Sequence, residues 1–149
     1  MGSKSKMTSD DQRHLLSTFL SDVSDTLAAV IARFGFVLET SEIAPPDMWI
    51  TFKNTAGVEM TIDFEWGGLL SLVVSKTSWF GPQKRHNLGP LISARSSDTS
   101  ALYHSTFMAY DRDRILSVLD ATARELLTFA TDVLAGDFSA FRASGLERE

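Results

Sequence analysis

One stretch constrains the fold of this chain more than any other. Val58, Met60, Ile62, Phe64 and Trp66 alternate with Glu59, Thr61, Asp63 and Glu65. A period of two describes a β-strand with one apolar and one polar face. The segment before it repeats the pattern, with Met48, Ile50 and Phe52 set against Trp49, Thr51 and Lys53. Asn54-Thr55-Ala56-Gly57 separates the two as a turn, and Gly67-Gly68 leads into a third strand, Leu69 to Lys76. There Leu70, Leu72 and Val74 share one side. Short connections in succession predict an antiparallel meander. Phe36 to Thr40 reads as a further short strand. Pro45-Pro46-Asp47 breaks the chain after it, because proline lacks a ladder donor and restricts its predecessor.

A one-sided apolar sheet needs a cover, and two helical stripes supply it. Leu15, Leu16, Phe19, Leu20, Val23, Leu27, Val30, Ile31 and Phe34 recur at three- and four-residue steps, which predicts a helix over Asp10 to Phe34. Asp10, Asp11, Asp22, Asp25 and Arg33 fall away from that stripe. Ser9 with Gln12 reads as its capping box and Gly35 as its C-terminal stop. A second helix begins at Asp111 as N-cap, buries Ile115, Leu116, Leu119, Ala123, Leu126, Leu127, Ala130, Val133 and Leu134, and ends at Gly136. Phe138 and Phe141 then fold back onto the body. Within residues 77 to 110, Leu91 to Arg95 fits a fourth or fifth strand, and the structure of the rest stays open. The prediction is an α+β domain: an antiparallel meander of about four to five strands, with two long helices, N- and C-terminal, packed on one face. The domain spans residues 9–141, between a flexible segment 1–8 and a frayed tail 142–149.

Composition narrows the chemistry. A chain of 149 residues, 44% hydrophobic and 22% charged, is one domain with a real core. The absence of Cys removes disulfide frameworks, thiolate zinc sites, iron–sulfur clusters and cysteine nucleophiles. No run approaches the roughly 18–20 apolar residues of a membrane span. The basic N-terminus leads into Thr8-Ser9-Asp10-Asp11 with no signal-type apolar core, so the expected compartment is the cytoplasm and no membrane partner is expected. His14, His86 and His104 lie at no metal-binding spacing, and GxSxG, P-loop and GxGxxG patterns are missing. His14 is read as solvated on the first helix. The expectation is a protein that is not an enzyme, with no catalytic residue, metal or cofactor.

The charge map is uneven. The chain has 19 acids against 14 bases, a net charge of −5. Residues 67 to 97 hold no acid and four bases, Lys76, Lys84, Arg85 and Arg95, between two acidic flanks. That segment also carries Trp79, Phe80 and His86. Basic residues among aromatics can bind single-stranded nucleic acid. Four positive charges on an acidic chain make too small a footprint, so nucleic acid is not an expected partner. The acidic stripe Glu59, Asp63 and Glu65 lies on one strand face, and Trp49 falls on the same side if Ile50 and Phe52 face the core. These four are the candidate partner-binding residues, because Trp dominates interface energetics and acids select a basic surface. The stripe also has other readings, a solvated sheet face or a divalent-metal or glycosidase-like carboxylate pair, and the alternative for Trp49 is that a loop such as 77–100 covers it.

The hairpin Val58–Trp66 with the strand Leu69–Val74, and the helix ending Leu126–Phe138, resemble small uncharacterised bacterial proteins of the immunity type. Those proteins neutralise a toxin delivered by a neighbouring cell. The likeness covers about a fifth of the chain. It implies a non-enzymatic inhibitor that binds a protein partner, such as a basic toxin, and it transfers no functional residue. Acidic character suits inhibitors of basic nucleases, since complementary charge speeds association. Two other classes stay open. One is a small-molecule-binding or catalytic domain with a pocket between the sheet and segment 77–110, lined by Arg95, His86, Tyr103 and His104. The other is a homo-oligomeric structural component joined through the sheet face. Both monomer and homodimer are compatible with the sequence.

Overall fold

A computed structural model describes residues 8–44, 47–65, 68–77, 84–96, 106–107 and 111–143. Helix α1 spans Ser9–Thr26 and α2 spans Ala28–Phe34. Strands β1 (Val37–Ala44), β2 (Asp47–Lys53), β3 (Val58–Phe64), β4 (Gly68–Lys76) and β5 (Arg85–Asn87) follow. Then come α3 (Leu88–Ser96), β6 (Thr106–Phe107), α4 (Arg112–Phe129), α5 (Thr131–Leu134) and α6 (Ser139–Ala143). The sheet order is β1-β2-β3-β4-β5, antiparallel throughout, and β6 pairs with the start of β4. The meander expected from the alternating segments is therefore present, in an α+β arrangement.

The period of two decides which sheet face is covered. Met48, Ile50, Phe52, Val58, Met60, Ile62, Phe64, Leu70, Leu72 and Val74 join one core with Phe19, Val23, Leu27, Val30, Ile115, Leu119 and Leu126 from the helices. The Phe19 ring lies 6.0 Å from that of Phe64, tilted against it, which seats α1 on β3. Truncating a fully buried Phe such as Phe19 to Ala costs about 3–5 kcal/mol. Asn54 locks the β2–β3 turn. Its Oδ1 accepts from the Ala56 and Val58 amides at 3.1 and 3.0 Å, and its Nδ2 donates to the Leu134 carbonyl at 3.0 Å. Lys76 Nζ donates to the Gly136 carbonyl nearby at 2.7 Å. Among the described residues, no single helix is long and apolar enough to cross a membrane.

Five sequence expectations need correction. The first helix is not continuous: α1 and α2 meet at Leu27 with a 65° bend. Just before the bend the Thr26 hydroxyl donates to the Asp22 carbonyl at 2.6 Å, the kind of i−4 bond that bends helices. Its capping box is formed by Thr8 and Asp11 rather than Ser9 and Gln12. Leu91 to Arg95 is not a strand but part of α3. There Asn87 Oδ1 accepts from the Gly89 amide at 2.9 Å, and Pro90 sits in the first turn where no amide donor is needed. Asp22 does not lie away from the packed face. It is 2% exposed and accepts from Arg112 Nε at 3.2 Å and Nη2 at 3.0 Å, where α4 meets α1. The C-terminal helix also breaks, at Ala130, before the short α5. Asp111 caps α4 as expected, and Gly35 stops α2 in the left-handed region at φ +70°.

Candidate functional site

Antiparallel register turns the strands β1 to β5 into one chemical face. Residues directly opposite one another point to the same side. Glu42 of β1 faces Trp49 of β2, which faces Asp63 of β3 and then Ser71 of β4. In the next row Thr40, Thr51, Thr61 and Val73 align, and beyond it Lys53, Glu59, Ser75 and Arg85. This is the face that the helices leave uncovered.

The rows are cross-linked by side chains. The Trp49 indole N–H donates to Glu42 Oε2 at 2.9 Å, which fixes the ring across the β1–β2 boundary. The Thr51 and Thr61 hydroxyls meet at 2.9 Å. Around them lies a groove of about 300 Å³, lined by Glu39, Thr40, Glu42, Trp49, Thr51, Glu59, Thr61, Val73, Ser75 and Arg85 among others. Three carboxylates against one guanidinium make it an acceptor-rich, anionic recess with an aromatic wall. Such a recess suits a cationic group, which an indole face and carboxylates attract together.

Asp63 stands one row along from the groove. It is half-buried, and its Oδ1 is shut off from solvent with no hydrogen-bond partner among the described residues. Burial pushes its carboxyl above the ordinary range, Glu65 and Asp47 add repulsion, and Arg85 opposes them. Glu65 follows the end of β3 and is exposed. Of the four residues expected to contact a partner, Trp49 and Glu59 line the groove, Asp63 borders it, and Glu65 lies just past the end of β3.

The residues expected of an alternative pocket are placed differently. His86 is buried on the core side, stacked on Phe141 at 4.1 Å between ring centroids, with Phe138 edge-on at 5.8 Å. Arg95 is engaged at the α4–α5 junction. Its Nη1 donates to the Phe129 carbonyl at 2.6 Å, and its two terminal nitrogens donate to Asp132 at 2.7 and 2.8 Å. That hydrogen bonding holds the Asp132 carboxyl below the ordinary range and raises the Arg95 guanidinium. Tyr103 and His104 lie outside the described residues, as do Trp66, Trp79 and Phe80. His14 is exposed on α1. Among the described residues, no group of three or more His, Asp and Glu side chains is placed to hold a metal ion.

Glu39, Glu42, Thr51, Thr61 and Arg85 join the site without having been singled out from the sequence. One signal was available for Glu42. Ala44 pairs with Asp47 across Pro45-Pro46, so counting outward from the prolines sets Glu42 against Trp49. Arg85 reaches the face only because β5 pairs beside β4, which no local pattern announces. Comparison with protein families, curated proteins and solved structures finds no match to this chain.

Proposed function

We propose that this chain is a non-enzymatic protein-binding domain that occludes a partner by receiving a basic surface on its open sheet face. Its most concrete form is a cytoplasmic immunity protein that neutralises a basic toxin. The observation that carries the reading is the groove itself, where Trp49 is held in place by Glu42 beside Glu39 and Glu59. A fixed aromatic side chain loses little entropy on binding and serves as an anchor, while a ring of acids steers a cationic partner in and disfavours others.

Purification of the tagged protein from its native cell tests this. The wild type is expected to retain a basic protein at moderate ionic strength, and a Trp49→Ala/Glu59→Lys variant is expected to lose it. A wild-type sample that carries no partner, or a partner retained equally by the variant, would overturn the reading.

A further inference from the structure

The outer edge of β1 specifies how a partner is held. β1 ends the strand order and, among the described residues, pairs with β2 alone. Among the described residues, no backbone hydrogen bond outside the β1–β2 ladder reaches Val37–Ala44. Six of its eight residues are exposed. Val37 and Leu38, 66% and 47% exposed, are the large apolar side chains left open among the described residues. A second recess of about 320 Å³, walled by Val37, Leu38, Lys53 and Thr55, opens beside them. A free edge of this length is a template for another strand.

The charges on the edge choose the occupant. Glu39 and Glu42 both reach the groove, and Glu39 is brought there by a register shift between Leu38 and Thr40. Two copies paired antiparallel along the whole of β1 would set Val37 opposite Ala44. They would also set Glu39 opposite Glu42 twice, and like charges directly opposite destabilise a sheet. A basic strand meets no such repulsion. Its polar-side residues would lie beside Glu39 and Glu42, and its other side chains beside Leu38 and Ile43.

We propose that β1 takes up an extended segment of the partner, alternating basic and apolar residues, as an added strand of the sheet. This rests on the reading of the open face as a binding surface and names the mode of capture. In strand addition the main chain supplies affinity and alternate side chains supply specificity.

The test uses the full chain with two synthetic probes, acetyl-KVRVKVK-amide and acetyl-EVEVEVE-amide, at millimolar concentration. Amide hydrogen exchange and NMR shifts are the readouts. The basic peptide is expected to bind saturably and to slow exchange at β1 amides that point away from β2. A Glu39→Lys/Glu42→Lys variant is expected to bind it at least tenfold more weakly and to prefer the acidic peptide. Equal binding of both peptides by the wild type would overturn the proposal. So would self-association that protects β1 without peptide. Shifts at the Trp49 indole and Thr61 with β1 unprotected would overturn strand addition while leaving the open-face reading standing. A peptide that moves neither region would count against both.

Discussion

Asn54→Ala is the perturbation with the most calculable outcome. Asn54 is 7% exposed and makes three hydrogen bonds, to the Ala56 and Val58 amides and to the Leu134 carbonyl. Alanine keeps the backbone and abandons all three partners. The Val58 amide and the Leu134 carbonyl take part in buried bonds, and leaving each unsatisfied costs about 1–3 kcal/mol. The Ala56 amide lies at the exposed turn, where water replaces the lost acceptor at small cost. The expected loss is about 3 kcal/mol, which is about 6–12 °C in Tm for a domain of this size. Urea unfolding should show a lower midpoint with an unchanged slope, because the surface exposed on unfolding is the same. Thr55→Ala, one residue on and exposed, is the control and should be neutral. A loss below about 1 kcal/mol for Asn54→Ala would refute the claim that this side chain ties the β2–β3 hairpin to α5.

Three further substitutions follow from the same physics. Arg112→Ala removes a guanidinium partner of the Asp22 carboxylate, 2% exposed, and should cost about 2 kcal/mol by urea unfolding, less than a fully enclosed pair because Arg112 itself reaches solvent. The same change in an Asp22→Asn background should cost much less. Asp63 binds its proton more tightly in the folded state, so its ionisation lowers stability as pH rises through its folded pKa. Asp63→Asn should therefore raise Tm near neutral pH, and the gain should vanish in acid below the usual carboxylate pKa. Asp132 has the opposite sign: its lowered pKa gives stability that is present above the ordinary value and lost as pH falls through the folded one. Arg95→Gln should cost about 1 kcal/mol at neutral pH and less in strong acid, where the ion pair with Asp132 is gone and only the bond to the Phe129 carbonyl is lost.

The parts of the fold legible in the sequence are those whose information is local. Alternation from Met48 to Val74, punctuated by Asn54–Gly57, sets the three central strands and their buried face, because each strand's facing depends only on its own period. Helix existence was equally local. Helix breaks were not, since the apolar stripe runs through Leu27 and Ala130 without a proline or glycine to mark them. The short run Leu91-Ile92 fits either period. The Asn87 cap with Pro90 in the first turn decides for helix, a signal carried by the flanks rather than the run. Asp22 reads as a solvated position because its partner, Arg112, stands 90 residues away. The same reasoning divides the site. Glu59 and Asp63 follow from strand period alone. Glu39, Glu42 and Arg85 reach the groove through pairing of other strands, and pairing is decided by the whole sheet.

The most direct test of an acidic open face that captures a basic protein is a charge-matched comparison. Glu59→Lys places a positive charge in the groove. Asp25→Lys makes the same change in net charge on an exposed position of α1. Affinity for the co-purified partner, measured by calorimetry at fixed ionic strength, should fall at least tenfold, about 1.4 kcal/mol, for Glu59→Lys and stay within about twofold for Asp25→Lys. Equal losses in the two variants, or no loss at Glu59, would contradict a binding role for this face.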